Sequence, residues 1–127
     1  MTMLLDTSVL VDHLRADERA VRLLARLFEG DEPVWAATPS RTEILAGIRA
    51  AERDAMSRLF ALISWIDIDA SIADAAGELA RRFRRSHTGI DTTDYLIAAA
   101  AQSISASLVT LNVRHFPMFA GLKPAYS

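Results

Sequence analysis

Four acidic residues stand at positions from which they could act together on a ligand. Asp6 directly follows a short apolar run, and Glu43 lies one helical turn after a second such run. Asp91 and Asp94 lie at the start of a predicted helix near the C-terminus. Two carboxylates about 4 Å apart repel by roughly 4 kcal/mol, so several can share a cleft only around a cation. Oxygen ligands select Mg²⁺ or Mn²⁺, and such an ion beside a phosphate is the usual apparatus of phosphodiester hydrolysis.

Each of these acids also has a purely structural interpretation. Ser40 and Glu43 fit the capping-box pattern, in which the glutamate accepts a hydrogen bond from a backbone N–H group. Asp91 and Asp94 fit the same arrangement at another helix N-terminus. Asp6 is likewise placed to cap the helix that follows it. Spacing alone leaves the structural and the catalytic interpretations open.

The elements that must position these residues alternate between short apolar runs and longer amphipathic segments. The apolar runs predict strands at 3–5, 34–37, 65–68 and 107–111, and the tail, 116–126, is expected to add a short edge strand. Helical periodicity predicts helices at 8–14, 18–29, 40–51, 54–63, 70–85 and 92–103. Apolar strands that alternate with helices indicate a parallel sheet covered by helices. We therefore predict a single α/β domain over residues 1–127, with ligands at the carboxyl ends of the strands.

Composition excludes several other classes of protein. A chain of 127 residues without cysteine has no disulfides, thiol nucleophile or cysteine-based zinc site, and its three scattered histidines argue against other zinc sites. A net charge of -2 gives no general affinity for nucleic acid. No apolar run is long enough to cross a bilayer, and the N-terminus lacks the pattern of a signal peptide. We expect a cytoplasmic protein that does not contact membranes.

Four segments, in this order, resemble the PIN-domain ribonucleases, and specifically the VapC toxins of bacterial toxin–antitoxin pairs. They are LLDTSVLVDHL at 4–14, TEILAGI at 42–48, IDTTDYLIAA at 90–99 and LVTLNVRHF at 108–116. The likeness runs from Met3 to about Phe119. It implies a small parallel sheet flanked by helices and a Mg²⁺-dependent endoribonuclease in which Mn²⁺ is expected to substitute. It also implies a homodimer and a VapB-type antitoxin that neutralises the toxin.

The resemblance assigns roles to the four acids. Asp6 and Asp94 match the metal-binding aspartates of the family, and Glu43 matches its second acidic position. Asp91 stands where many members carry a fourth acid. The predicted catalytic set is therefore Asp6, Glu43, Asp91 and Asp94, with Asp6 and Asp94 as metal ligands.

Three further residues are predicted to support this site. Ser8 and Thr110 match hydroxyl positions that orient carboxylates or water. Asn112 stands where many relatives have aspartate, and it offers a neutral carbonyl in place of a carboxylate. This departure weakens the case for Asn112 as a metal ligand, and the resemblance implies a supporting role for it; whether Asn112 or Asp91 contacts the metal is left open by the sequence.

Basic and apolar surface residues are candidates for partner contacts. Arg81, Arg84 and Arg85 belong to the densest basic cluster, and Arg114 follows the last predicted strand. They could contact RNA phosphates or the antitoxin, although arginines at the end of a helix are also typical of a solvated face. Apolar residues around Leu45 exceed what one small core can bury and suit an amphipathic partner helix.

Two other interpretations fit parts of the sequence. A phospho-receiver domain also carries acids at strand ends, with a threonine and a lysine in later positions. Receivers need adjacent acids after the first strand, however, and here Asp6 is followed by Thr7. A catalytically inactive PIN-like protein-interaction module is the alternative function, and retention of acids at three family positions argues against it.

Overall fold

Four short parallel strands form the centre of the fold. The computed structural model describes all 127 residues. The strands are β1 (Met3–Leu5), β2 (Val34–Ala37), β3 (Ser64–Ile66) and β4 (Ser107–Val109), in the order β3-β2-β1-β4. The helices are α1 (Thr7–Leu14), α2 (Glu18–Glu29), α3 (Thr38–Gly47), α4 (Arg53–Leu62), α5 (Ala70–Phe83) and α6 (Thr92–Ser103). The predicted α/β fold with a small parallel sheet is confirmed.

The position of β1 between β2 and β4 determines where the site forms. Met3 pairs with Val34 on one side and with Ser107 on the other. Because all strands run in the same direction, the residues that follow β1, β2 and β4 emerge at one edge of the sheet. Ligands of open parallel sheets bind at this edge.

The two faces of the sheet bury separate apolar clusters. Leu4 and Leu5 are both fully buried, but they point to opposite faces because side chains alternate along a strand. Leu4 belongs to the cluster formed with α5 and α6, and Leu5 to the cluster formed with α1, α2 and α4. In α6 the run from Ile97 to Ala101 is buried throughout, and its small side chains let the helix lie close to the sheet. None of the six helices has the length and hydropathy that crossing a membrane requires.

Two sequence-based expectations are wrong. The helix predicted at 40–51 begins at Thr38, with Pro39 in its first turn, and ends at Gly47. Proline suits this position because the first N–H groups of a helix have no partner within it. The tail at 116–126 forms no strand; Pro117 and Pro124 cannot donate to a ladder. Apart from a local turn bond from the Phe116 N–H to the Val113 carbonyl, its backbone bond to the residues after β4 joins the Ala125 N–H to the Thr110 carbonyl, at 2.9 Å.

Candidate active site

A cleft at the carboxyl edge of the sheet brings the four predicted acids together. It has a volume of about 380 Å³, and its walls are the start of α1, a turn of α3, the start of α6 and the segment after β4. Asp6, Glu43, Asp91 and Asp94 all line it, as do Ser8 and Asn112. Three segments that are distant in the sequence therefore contribute the four acids to a single cleft.

Asp6 is the most buried of these acids, with 3% of its surface exposed. Its Oδ2 atom accepts hydrogen bonds from the Ser8 hydroxyl at 2.9 Å and from the Thr110 hydroxyl at 2.7 Å. Although Asp6 precedes α1, its side chain does not cap that helix, so the capping interpretation is wrong here. Oδ1 accepts no hydrogen bond from the protein, which leaves this oxygen for a ligand.

The two hydroxyl groups that hold Asp6 are themselves held by the segment after β4. The Asn112 backbone N–H donates to Thr110 Oγ1 at 2.9 Å, and the Leu111 N–H donates to Ser8 Oγ at 3.2 Å. Each hydroxyl thus accepts from the backbone while it donates to the carboxylate. This geometry fits the supporting roles predicted for Ser8 and Thr110.

Glu43 is held by a small hydroxyl network that joins α1 to α3. Thr7 Oγ1 donates to Glu43 Oε1 at 2.6 Å and lies 2.8 Å from Ser40 Oγ. Ser40 is fully buried and inside α3, because the helix begins at Thr38. Ser40 and Glu43 therefore form no capping box, and that interpretation is wrong. Sequence reasoning missed Thr7, since its contact joins two segments 36 residues apart.

Asp91 and Asp94 form a capping box and also line the cleft. Asp91 Oδ1 accepts from the Asp94 N–H at 3.0 Å, and Asp94 Oδ2 accepts from the Asp91 N–H at 3.3 Å. The capping interpretation is therefore right for this pair. It does not prevent the same two carboxylates from lining the cleft. Asp94 Oδ2 also lies 3.2 Å from His115 Nδ1, so His115 reaches the site.

The surroundings of Asp94 in the cleft disfavour its ionised form, chiefly because the carboxyl group is buried. Burial raises the pKa of Asp94 to about 6. The hydrogen bond from the Asp91 N–H and the charge of His115 lower this pKa. The negative charges of Asp91 and Asp6 raise it. A cation in the cleft would relieve this repulsion.

The donor set fits a hard divalent cation. The free Oδ1 of Asp6 is a carboxylate oxygen, the type of ligand that Mg²⁺ prefers. No group of three acidic or histidine side chains is placed to hold one ion directly, which agrees with the habit of Mg²⁺ to bind one or two carboxylates and keep its waters. Only one imidazole, that of His115, lines the cleft.

Some residues near the site were not predicted, and some predicted residues lie elsewhere. Asp12 lines the cleft, and its Oδ2 accepts a 2.6 Å hydrogen bond from the Tyr126 hydroxyl. Arg114 lines the neighbouring cavity. None of the three predicted arginines at the end of α5 lines either cavity; these are Arg81, Arg84 and Arg85.

Comparison with known proteins places this chain in a family. The model of the PIN domain matches residues 3–121. The chain is 48% identical to Ribonuclease VapC19 of Mycobacterium tuberculosis over 123 residues, which cover 97% of this chain and 98% of that protein. It is 42% identical to Ribonuclease VapC10 of the same organism over 125 residues, which cover 98% and 93%. The fold matches the crystal structure of VapBC2 from Rickettsia felis bound to a DNA fragment from their promoter, with a TM-score of 0.80, 21% identity and 96% of each chain covered.

The chain belongs to the PIN-domain family and, within it, to the VapC ribonucleases. The resemblance stated from four sequence segments is thereby confirmed, and so is the predicted class of enzyme, an endoribonuclease. The phospho-receiver interpretation does not describe this chain.

Proposed function

We propose that this ribonuclease is Mg²⁺-dependent and acts as the toxin of a VapBC-type pair. It hydrolyses RNA phosphodiester bonds, and so inhibits translation and growth until a VapB-type antitoxin neutralises it. The observation that carries the proposal is the convergence of four acids from distant segments on one cleft at the carboxyl edge of the sheet. The names of its relatives support the ribonuclease activity, and Mn²⁺ is expected to substitute for Mg²⁺.

Asp6 and Asp94 are the residues that would hold the ion. When bound, Mg²⁺ would stabilise charge on the scissile phosphate and lower the pKa of a water molecule. The Ser8 and Thr110 hydroxyls fix Asp6 Oδ2, so that Oδ1 stays directed to the cleft without rearrangement. None of these carboxylates acts as a covalent nucleophile.

Glu43 and Asp91 have different parts in this proposal. The Thr7 hydroxyl orients Glu43 at the cleft wall, where its carboxylate can accept hydrogen bonds from water. Asp91 fixes the first turn of α6 through the Asp94 N–H and thereby sets the position of Asp94. Asn112 presents an uncharged side chain at the same cleft.

An apolar groove beside the cleft is the surface we assign to the antitoxin. It is lined by Val11, Leu14, Ile44 and Ile48, and Leu45 on the same helix is 43% exposed. An amphipathic helix could bury these side chains. A structure that shares this fold, with a TM-score of 0.80, is by name a toxin–antitoxin complex from Klebsiella pneumoniae. A homodimer and a cytoplasmic location remain predictions, as do antitoxin or RNA contacts of Arg81, Arg84 and Arg85.

The nuclease is tested with purified protein, freed of antitoxin, and total cellular RNA. Cleavage is compared with Mg²⁺, with EDTA, and for the variant Asp94→Asn, which removes a charge at nearly constant volume. Asp54→Asn is the matched control, because Asp54 also lies in the first turn of a helix, α4, but does not line the cleft. Discrete products that need Mg²⁺, disappear in Asp94→Asn and persist in Asp54→Asn are expected.

Cleavage in EDTA, or undiminished cleavage by Asp94→Asn, would contradict the proposed site. The toxin role has its own test: expression of the wild-type chain should arrest growth, and co-expression of the cognate antitoxin should restore it. Cleavage in vitro without growth arrest would contradict the toxin role alone.

A further inference from the structure

Two cavities with opposite linings adjoin the catalytic cleft. The apolar groove has a volume of about 180 Å³ and shares Val11 and Glu43 with the cleft. It also carries a second acid, Glu52. On the other side lies a larger cavity of about 840 Å³, which shares Asn112 and His115 with the cleft and whose lining contains no aspartate or glutamate. We call this second cavity the basic cavity.

The ionisable side chains that line the basic cavity are all basic. They are Arg114, His87 and His115, and they face it together with the polar Thr88 and Asn112. The remaining lining residues carry no polar side chain; they are Gly89, Leu111, Val113, Pro117 and Pro124. The Arg114 side chain is exposed and forms no salt bridge within the protein. The charge of Arg114 is therefore not neutralised by any acid within the protein.

One loop connects the basic cavity to the catalytic acids. Residues 84–91 link α5 to α6; within this loop His87, Thr88 and Gly89 line the basic cavity, and Asp91 at its end lines the cleft. His87 is fixed on this loop, because its Nδ1 lies 2.8 Å from Ser86 Oγ and its ring packs edge-on against Phe83 at 5.7 Å. Gly89 turns the loop with a φ of 87°, a conformation that residues with a Cβ rarely adopt. The cavity wall and the cleft wall are thus one continuous surface.

We propose that the basic cavity binds the sugar–phosphate backbone of single-stranded RNA on one side of the scissile phosphate. This inference rests on the proposed nuclease function and specifies the path of its substrate. A strand that enters the acidic cleft can continue into either of the two adjoining cavities. The apolar groove offers it two carboxylates, Glu43 and Glu52, and one cation, Arg15. The basic cavity offers Arg114, His87 and His115 and no acid, so it is the better match for a polyanion.

The lining also indicates what kind of contact the RNA makes. Base-stacking sites need exposed aromatic faces, and apart from histidine no aromatic residue lines the basic cavity. Arginine, imidazole and hydroxyl groups suit phosphate and ribose oxygens instead. An RNA strand is favoured over a protein partner because this cavity continues into the catalytic cleft through Asn112 and His115, and because no acid in its lining neutralises Arg114. The cavity therefore contributes affinity for backbone and little sequence selectivity.

The test measures RNA affinity separately from cleavage. The full chain carrying Asp94→Asn, which is not expected to cut, is titrated with a fluorescein-labelled oligouridylate at several salt concentrations, and anisotropy gives the dissociation constant. Adding Arg114→Ala should raise that constant about fivefold, and should reduce the slope of its logarithm against the logarithm of salt concentration by about 0.7. Adding His87→Ala should weaken binding less, and Arg114→Lys should restore part of the affinity.

Arg58→Ala is the matched control, since Arg58 is an exposed arginine on α4 that lines none of the three cavities. It should leave both the affinity and the salt slope unchanged. Thermal melts confirm that each variant is folded. An equal loss in Arg58→Ala, no loss in Arg114→Ala, or no binding by the parent protein would overturn the inference. A loss of antitoxin affinity with unchanged RNA affinity would also overturn it, and would make this surface a protein-docking site.

Wild-type cleavage of total RNA, measured in parallel, separates this inference from the proposed function. If Mg²⁺-dependent cleavage is present but Arg114→Ala binds RNA normally, only the basic cavity is wrongly assigned. If no cleavage occurs while the affinity change is found, the proposed function fails and the RNA-binding surface stands.

Discussion

The two aspartates that we propose as metal ligands, Asp6 and Asp94, are supported in different ways. Asp6 is almost fully buried and held by two hydroxyl groups. One belongs to Ser8 in α1, and the other to Thr110, which follows β4 and lies 104 positions away in the sequence. Asp94 is supported locally, by a capping box with the residue three positions earlier. One carboxylate is thus positioned by the tertiary fold and the other by the start of a helix.

This difference teaches that a capping role and a catalytic role need not compete. The capping box accounts for Asp91 and Asp94 completely as local structure, yet the same helix start carries both to the cleft. At Asp6 the capping interpretation fails, because the carboxylate bonds to hydroxyl groups and not to the backbone of α1. The two supports should therefore respond differently when the acids are changed.

The largest expected effect is that of Asp6→Ala. It removes the acceptor of the Ser8 and Thr110 hydroxyls, and Thr110 is fully buried. An unsatisfied buried polar group costs about 1–3 kcal/mol, so we expect the free energy of unfolding to fall by about 2–3 kcal/mol and cleavage to disappear. Urea denaturation and RNA cleavage measure the two losses. A variant as stable as the wild type would show that the hydroxyl network contributes nothing to folding.

Thr110→Val should have the next largest effect. The substitution keeps the shape of the side chain but removes the donor to Asp6, and it leaves the Asn112 N–H without its acceptor. We expect a loss of about 1–2 kcal/mol in unfolding free energy and a roughly 10- to 100-fold loss of metal affinity or activity. Titration of the variant with Mn²⁺ and single-turnover cleavage check both values. Unchanged metal affinity would mean that Asp6 does not need the hydrogen bond from the Thr110 hydroxyl.

The fold was predictable from sequence because its signals are local. Short apolar strands and amphipathic helices reveal themselves by periodicity, and the four strands were placed within about two residues. The capping box of Asp91 and Asp94 was predictable for the same reason. The Thr7 and Tyr126 contacts were not, since each joins segments that only the folded chain brings together. The apolar content of the tail predicts a strand, but Pro117 and Pro124 lack the N–H groups that a strand ladder needs.

A smaller effect, of opposite sign, is expected for Asp94→Asn in the metal-free protein. Burial disfavours the ionised carboxylate, whose pKa it raises to about 6, and asparagine still accepts from the Asp91 N–H. We expect cleavage to disappear but the free energy of unfolding in EDTA to rise by about 1 kcal/mol, after allowance for solvent screening. Mg²⁺ should raise the melting temperature of the wild type and not of the variant. The control Asp54→Asn should instead lose stability slightly, because it removes an acid from a helix N-terminus without such crowding. A destabilised Asp94→Asn would show that its charge supports the fold.

The smallest expected effect comes from His13, which lies on α1 and does not line the cleft that holds Asp6 and Asp94. Its Nδ1 atom is buried without a hydrogen-bond partner, and burial lowers the pKa of His13. The unfolded chain therefore binds a proton at a higher pH than the folded chain does. The contribution of His13 to stability should fall as pH decreases below about 6.5 toward the lowered folded-state pKa. Asp94 contributes with the opposite sign, because its pKa is raised to about 6. His13→Gln should remove the His13 contribution and leave that of Asp94. Chemical denaturation of both proteins between about pH 5 and pH 8 measures this difference. At about pH 8 His13 is neutral in both the folded and the unfolded chain. The unfolding free energies of the Asp6 and Asp94 variants should therefore be compared at that pH, where His13 does not contribute to the difference. An equal slope in wild type and His13→Gln would assign the pH dependence to other groups.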